Sequence, residues 1–120
     1  MRHKEDEEQQ AIFTWAKYTA IGSEKVSDYL IHIPNGGLRN KREAARLKKQ
    51  GVKAGVSDMF LPIPMRGYAG LWIELKSKGG QKPTASQQEW IDKMVSVGYS
   101  AKVCYGSGEA IKVIKEYLGI

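Results

Sequence analysis

Residues 56–61 (VSDMFL) and Leu71–Lys76 (LWIELK) are short apolar runs on either side of a glycine-containing connection, PIPMRGYAG. Both have the length and the aliphatic and aromatic content of strands, so together they predict an antiparallel hairpin. Side chains alternate across a strand, which puts Leu71, Ile73 and Leu75 on a core face and Trp72, Glu74 and Lys76 on a face left for chemistry. A hairpin turning around Arg66 pairs position 60 with 72 and sets Asp58 opposite Glu74. Like charges facing each other destabilise a sheet pair. The placement makes physical sense if a cation occupies the gap.

The remaining segments supply layers for this hairpin. Residues 5–18 place Ile12 and Ala16 four apart beside Phe13 and Trp15, which is helical periodicity behind an acidic first turn. YLIHI at 29–33 reads as a strand stopped by Pro34-Asn35-Gly36-Gly37, and KREAARLKK at 41–49 as a helix closed by Gly51. Thr84 with Gln87 forms a capping-box pattern opening a helix that runs through Trp90, Ile91, Met94 and Val95 to Gly98. SAKVCY is a last strand, and GEAIKVIKEYLG a last helix. The order helix, strand, helix, strand, strand, helix, strand, helix predicts an α/β fold with a mixed sheet and helices on both faces. At 120 residues, with no repeat or linker, the chain reads as one domain spanning 1–120.

No apolar run approaches the roughly 18 to 20 residues of a membrane span. The polar, acidic start MRHKEDEEQQ lacks the pattern of a secretory signal, so a cytoplasmic protein is expected. Cys104 is the only cysteine, which excludes a disulfide framework and a cysteine zinc cluster; in AKVCY it reads as a buried, inert thiol. The formal charge of +6 is local: Arg39, Lys41, Arg42, Arg46, Lys48, Lys49 and Lys53 stand against Glu43 alone, an excess equal to that of the whole chain. Such density suits a polyanion, through release of counterions from phosphates. A solvated helix face explains the same charge equally well. Lys78 and Lys82, after the second strand of the hairpin, are further phosphate contacts.

Asp58 and Glu74 offer hard oxygen ligands, with no histidine or thiolate set beside them, which favours Mg2+ or Mn2+ over zinc. A metal there, with Lys76 to orient water or neutralise phosphate, supports phosphodiester hydrolysis. Glu5, Gln9, Ile12 and Ala16 share one stripe of the first helix, so Glu5 can extend the ligand set; Glu8, about 60° away, is the reserve. Trp90 falls at core spacing, whereas Trp72 and Tyr68 are open to base stacking. His32 and Asn35 end a strand where glycines permit close approach to a ligand, and a structural turn explains them as well.

Taken together, EDEEQQAIFTWA, HIPNGGLRN, GVKAGVSDMFLP, GLWIELKSKGG, the Gln87 helix and GSGEAIKVIKEYL resemble the virus-type replication-repair nuclease (VRR-Nuc) family of the PD-(D/E)XK superfamily over nearly the whole chain. The resemblance implies a restriction-endonuclease-like core and metal-dependent nuclease activity. It implies Asp58 and Glu74 as metal ligands, Lys76 as the catalytic lysine, Glu5 as a further ligand and Gln87 near the site. Ser57 stands where the superfamily name has proline, on the opposite face from Asp58 and unable to ligate with it. Stand-alone members are associated with phages and prophages, resemble homodimers and include enzymes that cut four-way junctions, so branched DNA, a homodimer and the host-cell cytoplasm are expected here. Paired incisions suit a two-fold dimer independently of that resemblance. The alternatives are a nuclease acting on flaps or linear DNA, a non-catalytic nucleic-acid-binding module and a small α/β protein with a solvated basic helix.

Overall fold

The structure is a computed structural model that describes residues 2–34 and 40–120, with side chains from residue 4 onward. Helix α1 (Arg2–Lys17) begins before the predicted 5–18 and buries Ile12 and Ala16 completely. A short ribbon follows, β1 (Ala20–Ile21) against β2 (Glu24–Lys25), turning at Gly22-Ser23, where Gly22 has φ 59°. A 3-10 turn, Val26–Asp28, buries Val26 and leads into β3 (Ile31–His32). Then come α2 (Lys41–Lys49), β4 (Met59–Leu61), β5 (Leu71–Lys76), α3 (Ala85–Ser96), β6 (Ser100–Tyr105) and α4 (Ser107–Leu118).

Four strands make the main sheet in the order β3-β4-β5-β6, antiparallel, antiparallel and then parallel, which is the mixed sheet expected. Met59 pairs with Ile73, Phe60 with Trp72 and Leu61 with Leu71, the register predicted from a turn at Arg66. That turn is tight: Met65 and Tyr68 bridge each other across Arg66 (φ 54°) and Gly67 (φ 85°). Two strands are shorter than predicted. Only residues 31 and 32 of 29–33 join the sheet, and the chain bends at Asp58, so 56–58 lie outside the ladder. Asp58 O instead accepts the Ile33 N–H at 2.7 Å, closing the ladder at that point.

Helices α1 and α4 pack on each other and on one face of the sheet, while α3 covers the other. The first interface holds Ile12, Ala16, Met59, Leu61, Leu71, Ile73, Leu75, Ala110, Ile114 and Leu118, all buried. Cys104 lies there fully buried, and removal from water pushes its thiol up to about 12, so it stays protonated. The α3 face is not the open face the alternation suggested. Trp72 stacks on Phe60 with ring centroids 4.2 Å apart and meets Trp90 edge-on at 5.3 Å, and Tyr99 closes the group. Packed, partly buried aromatic rings thus occupy one end of the face, and Glu74 and Lys76 of β5 the other.

Candidate functional site

Glu74 is only 3% exposed, a carboxylate inside the protein where an alternating strand predicted one at its surface. Its Oε1 has no hydrogen-bond partner among the described residues. Burial, followed by the charge and hydrogen bonding of Asp58, pushes its pKa up to about 8, with Lys76 opposing and Glu5 adding to the rise. Asp58 is tied down around this pair: its Oδ2 accepts the Leu75 N–H at 2.7 Å, and its carbonyl faces His32 Nδ1 at 2.9 Å in addition to Ile33 N–H. An N–H on Nδ1 donates to that carbonyl. The Leu75 N–H ties the Asp58 carboxylate to β5, while the His32 ring and the Ile33 N–H tie its carbonyl to the end of β3, roles for His32 and Leu75 that the sequence did not disclose.

Lys76 is half-buried, and its Nζ donates to Gln87 Oε1 at 2.9 Å. The same oxygen accepts the Thr84 N–H at 2.9 Å, while Thr84 Oγ1 accepts the Gln87 N–H, so the predicted capping box also holds the lysine. Gly55 brings the preceding loop against this turn. With φ 84°, any Cβ there would run into the carbonyl of Ser86 and approach Gln87 N to 3.0 Å. Glycine at 55 is therefore dictated by close approach of backbone to backbone, a signal that GVKAGVSD carries only once its neighbour is known.

Of the predicted site residues, Asp58, Glu74, Lys76 and Gln87 are brought together. Glu5 is exposed and reaches Glu74 only electrostatically. Glu8, half-buried, accepts the Ser107 N–H at 2.8 Å; that bond, with the Ser107 side chain, Lys78 and Lys4, holds it below the ordinary carboxylate range. Lys41, Arg42, Arg46, Lys48, Lys49, Lys53, Lys78 and Lys82 are all exposed, with Arg46 4.0 Å from Glu43. Arg39, like Asn35-Gly36-Gly37, lies outside the described residues. Trp72 stacks on Phe60 and meets Trp90 edge-on, while Tyr68 is 46% exposed. Ser57 is buried with no hydroxyl partner among the described residues.

The donor set fits a hard divalent cation. A buried, unpartnered carboxylate oxygen beside a second carboxylate is stabilised by positive charge, and Mg2+ is held by one or two carboxylates with waters completing its shell. Among the described residues no three His, Cys, Asp or Glu side chains are grouped so as to hold a metal ion, so Glu5 does not complete a three-acid set with Asp58 and Glu74. No helix among them is long and apolar enough to cross a membrane.

Comparison with known proteins supplies the context. No curated protein matches the sequence. A solved structure described as a VRR-NUC domain protein superposes with a TM-score of 0.88 at 35% identity, covering 97% of this chain and 88% of that one. The VRR-NUC domain pattern itself matches residues 3–108, from α1 through β6 to the start of α4. Matched over most of its length and sharing its fold with a solved relative, the chain belongs to the VRR-NUC domain family of nucleases.

Proposed function

We propose that this protein is a Mg2+- or Mn2+-dependent, structure-selective DNA endonuclease. It acts as one catalytic unit over residues 1–120, in the cytoplasm, and cuts branched DNA such as four-way junctions as a homodimer. The observation that carries the reading is the buried Glu74 carboxyl, one oxygen without a hydrogen-bond partner among the described residues, set against Asp58 and two positions from a lysine clamped by Gln87. Burying a carboxyl beside Asp58, where its charged form is disfavoured, has little structural use, so a cation that rewards the charged pair is the economical explanation.

Asp58 and Glu74 would hold the cation, with Glu5 as a further ligand. Once bound, it supplies positive charge to phosphodiester oxygens and acidity to water. Lys76, fixed at Nζ by Gln87, adds a positive donor whose direction is set before substrate arrives. Leu75 N–H fixes one oxygen of Asp58 and so orients the carboxylate. Lys41, Arg42, Arg46, Lys49 and Lys53, together with Arg39 and Lys78, grip phosphates; such contacts position a duplex without reading bases, which favours selection by DNA shape. A single small site cuts one strand, and symmetry of a two-fold dimer supplies the second incision that a junction requires.

The test is cleavage of labelled four-way junction, flap, single-stranded and linear duplex DNA in Mg2+, Mn2+ or EDTA, with Glu74→Ala alongside. Metal-dependent cutting concentrated on the junction and absent in the variant is expected. Cutting of flaps or linear DNA instead would discard the junction assignment and keep the nuclease. Tight binding without cleavage in any metal would make the protein a binding module.

A further inference from the structure

Helix α4 starts at Gly106 with no side chain of its own capping it. The first N–H groups of a helix need acceptors from elsewhere, and carboxylates suit that end of the helix dipole. Here the acceptor comes from α1: Glu8 Oε1 takes the Ser107 N–H at 2.8 Å across 99 positions of sequence. Gly106 has φ 93°, and a Cβ there would come within 3.5 Å of Glu8 Oε2 and 3.7 Å of Lys78 Cβ, so these groups meet at one point. From that point the Gly106 N–H donates to Lys76 O at 2.8 Å. A continuous path thus runs from α1, through the start of α4, to the backbone of Lys76.

We propose that Glu8 is a positioning residue: by clasping α1 to the start of α4 it sets the direction from which the exposed Glu5 can turn toward the Asp58–Glu74 pair, and so tunes the affinity for the divalent cation. This rests on the reading of Asp58 and Glu74 as the cation's ligands. Residues three apart on a helix lie on neighbouring parts of its surface, so fixing Glu8 fixes the direction of Glu5. Glu5 makes no such bond of its own among the described residues, and its charge is felt at Glu74. The two acids that sequence periodicity could not separate therefore divide the work, one anchoring the helix and the other free to ligate.

Calorimetric titration with Mn2+ decides it, using the full chain, with circular dichroism to verify folding. The variants are Glu8→Ala, Glu8→Gln, Ser107→Pro, Glu5→Gln and the double Glu5→Gln/Glu8→Ala. Glu8→Ala should weaken Mn2+ binding roughly tenfold, as expected when a group supporting a ligand is lost. Glu8→Gln keeps an acceptor and should stay near wild type. Ser107→Pro removes the donor at the first helical position, where proline is tolerated, and should reproduce the Glu8→Ala loss even if that variant fails to fold. In the Glu5→Gln background, Glu8→Ala should add nothing, because Glu8 acts through Glu5. Wild-type affinity in Glu8→Ala or in Ser107→Pro would overturn the clasp, and so would a full further loss in the double variant. Failure of unmutated protein to bind Mn2+ would overturn the metal reading itself, and this inference with it.

Discussion

The end of β5 and helix α2 carry the two halves of the proposed chemistry, and they are built in opposite ways. Glu74 is buried, Asp58 is held by the backbone N–H groups of Ile33 and Leu75, and Lys76 is clamped by a residue that also caps α3. Helix α2 buries none of its residues; Leu47 is its one half-buried side chain, and every cation stands in solvent. Bond cleavage requires reacting groups held in place to a fraction of an ångström, which only a packed surround provides. Gripping phosphate requires charge density and tolerates compliance, because the contact reads no sequence. Rigidity is thus concentrated where a bond would break, and charge where a backbone would lie.

Removing one group from the rigid half should give the largest effect. Lys76→Ala is expected to lower cleavage about a thousandfold, the scale for loss of a preorganised charge donor. Its fold should survive, because Gln87 Oε1 keeps Thr84 N–H and the α3 cap remains. Wild-type rates in that variant would remove Lys76 from the chemistry. The joint between the two halves is Gly55, which follows α2 in the chain and presses on the first turn of α3. Gly55→Ala combines a left-handed backbone with a collision against backbone atoms that cannot yield, and should destabilise by about 3 kcal/mol. Thermal unfolding would show this as a drop of roughly 10 °C; an unchanged midpoint would mean that the loop and α3 are not in close contact.

Local signals account for the part of the fold that is legible in the sequence. Alternation in LWIELK, a turn centred on Arg66-Gly67 and the Thr84–Gln87 box each act over a few residues, and they set the hairpin register and the α3 cap. The Gly22-Ser23 hairpin is equally local yet absent from the predicted element order, although Gly-Ser between short runs is a recognised two-residue turn. Burial of Glu74 is not legible for a different reason. Phe60, Trp72, Trp90 and Tyr99 are scattered along the chain and meet only when α3 covers the sheet, so strand alternation alone describes that face as open. The Glu8–Ser107 bond is farther still from local sequence, which leaves Glu5 and Glu8 undivided by periodicity.

Burial of Glu74 also predicts an unusual pH dependence without metal. Burial and Asp58 push its carboxyl up to about 8 in the folded protein, from 4.5 for an exposed carboxyl, so unfolding releases a proton between those values. The contribution of this group to stability is complete below about pH 4.5 and is lost as pH rises toward 8. In EDTA, Glu74→Gln should lack that decline and exceed wild type at pH 8 by on the order of 2 kcal/mol. Added Mg2+ should restore the wild type and leave the variant unchanged. Parallel pH profiles for the two proteins in EDTA would mean that Glu74 carries its charge at little penalty.

The compliant half should respond most mildly and in a different observable. Arg42→Gln with Arg46→Gln removes two exposed cations while leaving Asn40, whose side chain accepts the Glu43 N–H at 2.7 Å, to start the helix. Removing one phosphate-binding cation should lower the slope of log affinity against log salt by about 0.9, and removing the pair should weaken binding at low salt by roughly tenfold. Arg46 already lies 4.0 Å from Glu43, so its share should be the smaller of the two. Cleavage at saturating DNA should remain near wild type, because among the described residues none of α2 is bonded to Lys76, Gln87 or either acid. A changed maximal rate would show that α2 shapes the site as well as holding the substrate. An unchanged salt slope would move the phosphate track off α2 and onto other surface cations, with Lys53 and Lys78 the first to examine.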